Sequence, residues 1–373
     1  MYDIVIGIPS YNEEDSISYV VENIDKGLLH SYPNNSAIIV NADDSDTDQT
    51  KKAFISTSTI NKKKYIRRYH SIRGKGKGIF DIFKFSQNVG AKYIALFDAD
   101  LISIEPDWVK KMLDPIINYD FDIVTPIYTR NRYEGNTTNH VVYPFLYAVY
   151  GAYIRQPIAG EFALSRRLVD FIMAQPSWDS TQEYGIDIFL TANAVANDYK
   201  FTQVHLTRKI HKPGFPKIHY MPTQVMDTMF RIFLSNPKKH NQSLTNDIKP
   251  ILSVDDKMSY PSKERIEYVK GYCKRYIIGN QTEIQHDFLT TSNESFNVFK
   301  SRLLLGPEEW CHLLSHTYKT MSWERIDRIS KSLGVLYLCR VFSYWDEIDG
   351  KTPLEIEKIL FNQAILLRKL IQS

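Results

Sequence analysis

The chain has 373 residues, of which 43% are hydrophobic and 13% aromatic, enough for one large domain with a core and a smaller second one. This composition excludes a disordered protein, and 46 Lys and Arg against 43 Asp and Glu give a net charge of +3, too slight to indicate a nucleic-acid partner. Three widely spaced cysteines, without the spacing of a metal site, are typical of a reducing compartment, so we expect a cytoplasmic protein.

The sequence also gives no reason to expect a leader or a membrane span. The first four residues lack a basic region and run directly into a strand-like segment. The longest aromatic-rich apolar run, residues 141–154, contains Pro144 and has about 14 residues, fewer than the roughly 20 of a membrane-spanning helix. We therefore predict a soluble protein. Whether the aromatic run packs internally or between the subunits of a homodimer is left open.

The first 125 residues alternate between strand-like and helix-like segments. Strands are predicted at 4–9, 37–40, 93–97 and 123–125, and helices at 15–29, 78–89 and 108–117. The continuous β-branched run of the first strand is typical of a strand buried on both faces of a parallel sheet. The pattern predicts an α/β fold with a doubly wound, mostly parallel sheet, whose ligands collect at the carboxyl ends of the strands.

The character of the sequence changes from about residue 227. Apolar residues at helical spacing predict helices at 263–276, 307–318, 326–345 and 353–371, with no strand alternation between them. Residues 235–257, rich in Asn, Lys, Asp and Ser, are the predicted linker. We therefore predict a mainly helical C-terminal domain over residues 236–373.

The strand at 93–97 ends in the carboxylate pair Asp98 and Asp100. Two carboxylates one residue apart, where a buried strand opens into a loop, can hold a hard divalent cation against a diphosphate. Aspartates at such positions also cap backbone groups, so the pair alone leaves both interpretations open.

Polar residues also follow the first two strands. Glu13, after the first strand, can accept hydrogen bonds from ribose hydroxyls, although Asn-Glu-Glu is equally an ordinary helix start. The acidic loop 43–50 can recognise a base or a ribose. The alternatives are a capped turn or a calcium loop, but the loop lacks the glycine and the final glutamate of an EF-hand.

Residues 73–78 read Arg-Gly-Lys-Gly-Lys-Gly. Alternating glycines let the backbone approach a ligand closely, and the lysines supply positive charge. The segment lacks the spacing of a Walker loop, and a flexible surface turn is the alternative.

Four motifs, in their order along the chain, resemble those of the nucleotide-sugar-dependent glycosyltransferases of the A-type, Rossmann-like fold. They are Pro-x-x-Asn-Glu-Glu, Asp-Asp-x-x-Thr-Asp-x-Thr, Arg-x-Lys-Gly and Asp-Ala-Asp. Segments 156–161, 184–187 and 209–212 are similar, more narrowly, to the retaining mannosylglycerate synthases and glucosyl-3-phosphoglycerate synthases. The tail, with Gly-Pro-Glu-Glu-Trp at 306–310, looks more like the former. The resemblance covers residues 1–235 well and the tail loosely.

The resemblance implies a metal-dependent hexosyltransferase with a catalytic domain over 1–235, divided into a nucleotide-sugar half, 1–125, and an acceptor half, 126–235. It implies Mg²⁺ or Mn²⁺ as cofactor, held by Asp100 and His211. The implied donor-binding residues are Pro9, Tyr11, Glu13, Asp43, Lys75, Gly76, Asp98, Ala99, Ile158 and Gly160. The implied catalytic residues are Asp187, Glu161 and Asp100, and the implied acceptor-binding residues are Gly135, Asn136, Thr138 and Tyr184.

One departure bears on the acceptor. Where the phosphoglycerate enzymes have Gly-Arg-x-Thr, this chain has Gly-Asn-Thr-Thr, and Asn136 cannot supply the cationic fork that binds a phosphate. Arg130, Arg132 or Lys212 could compensate, but the simpler expectation is a small non-phosphorylated hydroxy acid such as D-glycerate.

We therefore expect transfer of mannose or glucose, from GDP more than from UDP, to D-glycerate, which makes a compatible solute. Retention is implied by the resemblance alone, and inversion stays open because an inverting relative would place its base at Asp187. The alternatives are a glucosyl-3-phosphoglycerate synthase, a polysaccharide or lipid-linked glycosyltransferase, and a non-catalytic nucleotide-sugar-binding protein.

Overall fold

The computed structural model describes residues 1–67, 74–211, 220–237, 251–255, 262–288 and 302–373. The chain forms two compact units, which we call the first unit, Met1–Tyr128 with Gln156–Pro216, and the second unit, Thr129–Arg155 with Lys217–Ser373. The second unit therefore groups residues 129–155 with the C-terminal helices. The division expected from the sequence, 1–235 and 236–373, stays a prediction.

A mostly parallel sheet is the frame of the first unit. Its strands in chain order are β1 (Ile4–Ser10), β2 (Ala37–Asp43), β3 (Lys62–Arg67), β4 (Tyr93–Leu96), β5 (Ile123–Asn131), β6 (Phe162–Ser165) and β7 (Phe201–Arg208). They lie in the spatial order β3-β2-β1-β4-β6-β5-β7. β1 pairs in parallel with β2 and β4, whereas β6 is antiparallel to both β4 and β5. The predicted α/β class is confirmed.

Helices flank this sheet because β1 and β2 are buried at every position. The helices of the first unit are α1 (Ile17–Ser31), α2 (Thr50–Ser56), α3 (Lys75–Asn88), α4 (Pro106–Tyr119), α6 (Arg166–Met173), α7 (Asp179–Gln182) and α8 (Ile186–Ala196). α3 lies so close to β1 that a β-carbon on Gly7 would come within 2.5 Å of Ile82. α3 also begins three residues before the predicted start, so Lys75 lies in its first turn.

The second unit is mainly helical, as predicted. A π-helical segment, Thr138–Val142, runs into α5 (Tyr143–Tyr150), and the short strand β8 (Val254–Asp255) pairs in parallel with the end of β5. The remaining helices are α9 (Met221–Ser235), α10 (Lys263–Gly279), α11 (Gln281–Phe288), α12 (Pro307–Thr320), α13 (Ile326–Glu347) and α14 (Pro353–Gln372).

The aromatic run 141–154 packs internally in the second unit. Tyr143 and Tyr147 are buried in a cluster with Ala364, and Phe361 packs against them. Most of the predicted linker, residues 238–250 and 256–257, lies outside the described residues. Among the helices that the structure describes, none combines the length and the apolar character needed to cross a membrane.

Candidate active site

Five charged side chains from five elements meet in the first unit, and we call them the charge cluster. Asp98 follows β4, Glu161 precedes the antiparallel strand β6, and Lys209 follows β7. Lys75 and Asp187 lie in the first turns of α3 and α8. The cluster thus forms at the edge of the sheet where ligands of doubly wound folds bind.

Two ammonium groups bridge three carboxylates in this cluster. Nζ of Lys75 lies 2.8 Å from Asp98 Oδ1 and 3.2 Å from Asp187 Oδ1. Nζ of Lys209 lies 3.2 Å from Asp98 Oδ2 and donates to both oxygens of Glu161, at 2.9 and 2.8 Å. Asp98 is therefore shared between the two lysines and connects the two halves of the cluster.

Burial and charge compete in setting the pKa values here. Burial alone would lower the pKa of Lys75, but Asp187 and Asp98 raise it above its usual range. Burial alone would raise the pKa of Asp98, yet the two lysines hold it well below that of an ordinary aspartate. For Asp187 and Glu161 burial prevails, and it raises the pKa of Glu161 to about 7 against the opposing effect of Lys209.

The loop 156–161 approaches the cluster through a glycine. Gly160 has a φ of +102°, and a β-carbon there would lie 2.3 Å from Asp98 Oδ2 and 2.8 Å from Lys209 Nζ. Only glycine fits this position. The loop is fixed from α8 because the hydroxyl of Thr191 donates to the carbonyl of Pro157 at 2.7 Å. Ile158, between these points, is half-buried.

Asp43 lies at the end of β2 and is only 2% exposed. Its Oδ1 accepts from the hydroxyls of Ser10 and Ser45, at 2.8 and 2.5 Å, and its Oδ2 accepts from the Tyr65 hydroxyl at 2.8 Å. A cavity of about 460 Å³ opens beside it, lined by Asp43, Ser45, Asp46, Asp48, Lys51, Tyr65 and Arg67, among others. This volume falls within the range of small-molecule pockets.

The other predicted donor residues differ in exposure. Pro9 is buried at the end of β1, whereas the Tyr11 side chain is 45% exposed. Glu13 is half-buried and accepts from the Ser16 hydroxyl at 3.2 Å. Ala99 is buried between the two aspartates of the carboxylate pair.

The backbone at Gly74 and Gly76 closely approaches another segment of the same chain, residues 181–183, rather than a ligand. A β-carbon on Gly76 would lie 2.0 Å from the carbonyl oxygen of Thr181, and one on Gly74 would lie 2.3 Å from that of Gln182. The amide of Gly76 donates to the carbonyl of Glu183 at 3.0 Å. The glycines thus seat the start of α3 against residues 181–183, which aims Lys75 into the charge cluster. Arg73 lies outside the described residues.

The two predicted metal ligands are carried by adjoining segments. The amide of Ile102 donates to the carbonyl of Ile210 at 3.1 Å, and the amide of Ile210 donates to the Ser103 hydroxyl at 2.9 Å. The loop of Asp100 thus lies against the segment of His211. Within the described part of the chain, no three His, Cys, Asp or Glu side chains group as a metal site. The residues fit an ion that takes two protein ligands and leaves other positions to phosphate oxygens.

The predicted acceptor residues fall in both units. Tyr184 is half-buried in the first unit, whereas Gly135, Asn136 and Thr138 belong to the second. Gly135 has a φ of +66°, and Nδ2 of Asn136 donates to the carbonyl of Tyr133 at 2.8 Å.

Sequence reasoning missed two residues of the site. Lys209 lies in the segment 209–212 that resembles the synthases, but the resemblance assigns it no role, although its ammonium pairs with two carboxylates. The hydroxyl of Tyr128 donates to Glu161 Oε2 at 2.9 Å, and its ring faces Lys209 Nζ at 5.3 Å. Nothing in the alternation of β5 distinguishes this tyrosine from an ordinary core residue.

The mostly parallel sheet with its flanking helices has the A-type glycosyltransferase fold, and comparison with known proteins agrees. Residues 5–170 match the model of glycosyl transferase family 2, in agreement with the resemblance of the motifs.

Two curated relatives are similar over longer stretches. A mannosylglycerate synthase of Selaginella moellendorffii is 23% identical over 325 residues, 80% of this chain and 72% of that protein. A glucosyl-3-phosphoglycerate synthase of Mycolicibacterium smegmatis is 25% identical over 195 residues, 49% of this chain and 61% of that protein.

Solved structures show the same fold. Glucosyl-3-phosphoglycerate synthase of Mycobacterium tuberculosis, in complex with Mn²⁺, uridine diphosphate and phosphoglyceric acid, has a TM-score of 0.52 at 22% identity, over 62% of this chain and 78% of that one. The same enzyme with Mg²⁺ and uridine diphosphate has a TM-score of 0.51 at 22% identity, over 62% of this chain and 79% of that one.

Replacing Lys209 by Met should lower the free energy of unfolding by about 3–5 kcal/mol, because it leaves buried carboxylates without their cation. Urea unfolding at pH 8 measures the change. Lys200→Met is the matched control, since Lys200 pairs with Asp120 at the surface, where both side chains are more than 60% exposed; it should cost less than about 1 kcal/mol. Equal losses in the two variants would contradict the role of Lys209.

The raised pKa of Glu161 predicts a pH dependence. Between its ordinary value of 4.5 and about 7, the folded protein keeps a proton on Glu161 that the unfolded chain releases. Wild-type stability should therefore fall relative to that of Glu161→Gln as the pH rises from 5 to 7, by up to about 3 kcal/mol, and the difference should then stay constant. Unfolding free energies of both proteins at pH 5, 6, 7 and 8 test this; parallel profiles would exclude the raised pKa.

Proposed function

We propose that the chain transfers mannose from GDP-mannose to D-glycerate, or to a closely related small hydroxy acid, with retention of configuration. The charge cluster at the ligand-binding edge of the sheet carries this proposal. It includes Asp98, the first member of the carboxylate pair. Sequence similarity to a mannosylglycerate synthase over 80% of the chain supports it. The product would be a compatible solute.

The charge balance favours a divalent cation. Three carboxylates face two ammonium groups in the cluster, and Asp100, two residues beyond Asp98, adds a further negative charge. We propose Asp100 and His211 as the ligands of Mg²⁺ or Mn²⁺. Such an ion would offset the negative charge of a departing diphosphate. Glucosyl-3-phosphoglycerate synthase with either ion has been solved in the same fold.

The chain's own carboxylates would orient the sugar. Asp98, Glu161 and Asp187 are held by the lysines and can accept hydrogen bonds from sugar hydroxyls at their remaining lone pairs. Both oxygens of Asp187 lie within 3.5 Å of Lys75 Nζ. Lys75 thus holds this carboxylate in place. The proposed retention rests on the resemblance to the retaining synthases, and inversion with Asp187 as the base is the alternative.

The cavity beside Asp43 is our proposed base site. Its lining offers carboxylates at Asp46 and Asp48, which can accept from the N–H groups of a guanine edge, and cations at Lys51 and Arg67. The neighbouring residues Pro9, Tyr11, Glu13 and Gly76 would complete the nucleotide site, as the resemblance implies.

The choice of acceptor rests on loop 135–139. Asn136 replaces the arginine of the phosphoglycerate enzymes, and its amide is engaged with the carbonyl of Tyr133. A glucosyl-3-phosphoglycerate synthase is the second candidate, favoured by the solved structures of that enzyme. Transfer to phosphoglycerate would then need cationic help from Arg130, Arg132 or Lys212, the last of which lies outside the described residues.

We also propose a cytoplasmic location. The three cysteines, Cys273, Cys311 and Cys339, are buried and unpaired, which suits a reducing compartment. A homodimer stays a prediction.

Chelation should abolish turnover, and added Mg²⁺ or Mn²⁺ should restore it. Without the ion, Asp100 and His211 supply no positive charge to offset the negative charge of a departing diphosphate. Release of GDP from GDP-mannose in the presence of D-glycerate is the readout. Asp100→Asn should lose activity by about a hundredfold or more while its melting temperature is kept. Asp107→Asn, an exposed aspartate in α4, is the control and should stay active. Full turnover in excess chelator would refute the metal site.

Wild-type enzyme should use D-glycerate better than 3-phosphoglycerate, because a dianionic phosphate without a bidentate partner keeps its desolvation cost. Asn136→Arg should shift the ratio of kcat/KM toward the phosphorylated acceptor by about tenfold. Asn136→Gln, longer but neutral, should not shift it. A wild-type preference for 3-phosphoglycerate would favour the second candidate function.

A further inference from the structure

Loop 135–139 of the second unit is closed by Asn139, whose side chain is buried. The Asn139 amide donates to the carbonyl of Gly135 at 2.9 Å, and its Nδ2 lies 3.4 Å from the carbonyl of Glu134. The first bond is a helical contact at the start of the π-helical segment, and the second ties the Asn139 side chain back to the residue before Gly135. The conformation of the loop depends on where Asn139 is held.

Asn139 is held from outside the loop by a buried arginine. Nη1 of Arg155 donates to Asn139 Oδ1 at 2.9 Å, and the other two nitrogens of the guanidinium bind Glu357 of α14, at 2.7 and 3.0 Å. Arg155 is 2% exposed and Glu357 is 1% exposed. Glu357 is fixed in turn, since it accepts from the Ser253 hydroxyl at 2.6 Å.

A second contact from α14 reaches the same residue. Nε2 of Gln363 donates to the carbonyl of Asn139 at 3.3 Å, and its Oε1 accepts from Arg340 Nε at 3.2 Å. Glu357 and Gln363 lie six residues apart on α14. The helix thus holds Asn139 through its side chain by way of Arg155 and through its backbone by way of Gln363.

We propose that Arg155 is a positioning residue for the acceptor: together with Glu357 and Gln363 it holds loop 135–139 in the conformation that binds the acceptor. The proposal rests on the proposed function, because it takes this loop as the acceptor loop. Arg155 itself does not bind the substrate, since its guanidinium is engaged with Glu357 and Asn139. Arginine suits this role because its planar guanidinium presents several donors in a fixed fork, whereas a lysine ammonium is a point charge with rotatable donors.

Arg155→Lys tests this link because it keeps the charge opposite Glu357 and removes the fork. Hydrogen exchange of the Asn139 amide and the loop around it should accelerate about tenfold or more. The KM for D-glycerate should rise about tenfold, whereas the KM for GDP-mannose should stay unchanged. Gln363→Leu, which removes the contact with the Asn139 carbonyl and also the Oε1 that accepts from Arg340, should raise the exchange rate and the acceptor KM in the same direction.

Arg368→Lys is the matched control. Arg368 also lies on α14, and its Nη1 donates to the carbonyl of Tyr147, away from the loop. This variant should change neither the exchange of the loop nor the acceptor KM. Unchanged loop exchange in both Arg155→Lys and Gln363→Leu would overturn the proposal. Faster exchange with an unchanged acceptor KM would instead refute the loop as the acceptor site, and with it this part of the proposed function.

Discussion

The first unit depends on one constraint: the carboxylate of Asp98 is shared between the half-buried ammonium group of Lys75 and the buried one of Lys209. Lys75 binds one of its oxygens and Lys209 binds the other. Each lysine comes from a different element and reaches a further carboxylate, so the position of Asp98 fixes α3, α8, the end of β7 and the loop before β6 together. If one of the two lysines were removed, the carboxylate of Asp98 would have to take up a proton or a water molecule in its place. The ligand-binding edge of the sheet would then lose its geometry.

The same constraint explains several residues that have no charge. Gly160 is required because any β-carbon would enter the space between Asp98 and Lys209. Gly76 is required because the start of α3 must lie against the carbonyl of Thr181 for Lys75 to reach Asp98. Tyr128 supplies a hydroxyl to the oxygen of Glu161 that Lys209 also binds. An anionic ligand arriving here would compete for ammonium groups that already have partners, which favours a ligand that brings its own cation.

The sequence predicted the parts of this arrangement that leave a local signal. Buried apolar runs located β1, β2 and β4, and acidic residues at or shortly after their ends marked the ligand-binding edge. β6 has only four residues and runs antiparallel, and β7 is largely half-exposed or exposed, so neither shows the apolar pattern of a central strand. Lys209 was missed for that reason: its role arises from burial against Glu161, 48 residues away, and no periodicity records such a pairing. The sequence indicated that the glycine-lysine segment 73–78 approaches another group closely. It did not indicate that this group is residues 181–183, because α7 is too short to predict.

Each unit has a buried cation held by a carboxylate, and the choice of side chain differs in a way that chemistry explains. In the second unit, the planar fork of Arg155 binds Glu357 with two nitrogens and still has a third for Asn139, an arrangement suited to holding a loop still. In the first unit, Lys75 and Lys209 are point charges with rotatable donors, which can exchange one oxygen partner for another at little geometric cost. An arginine at position 75 would hold its donors in a fixed planar fork, so its bonds to Asp98 and Asp187 would be harder to exchange for bonds to a sugar or a phosphate. Rigid cations therefore suit the scaffold of a binding loop, and adaptable ones suit the place where the bonding partners must change during a reaction.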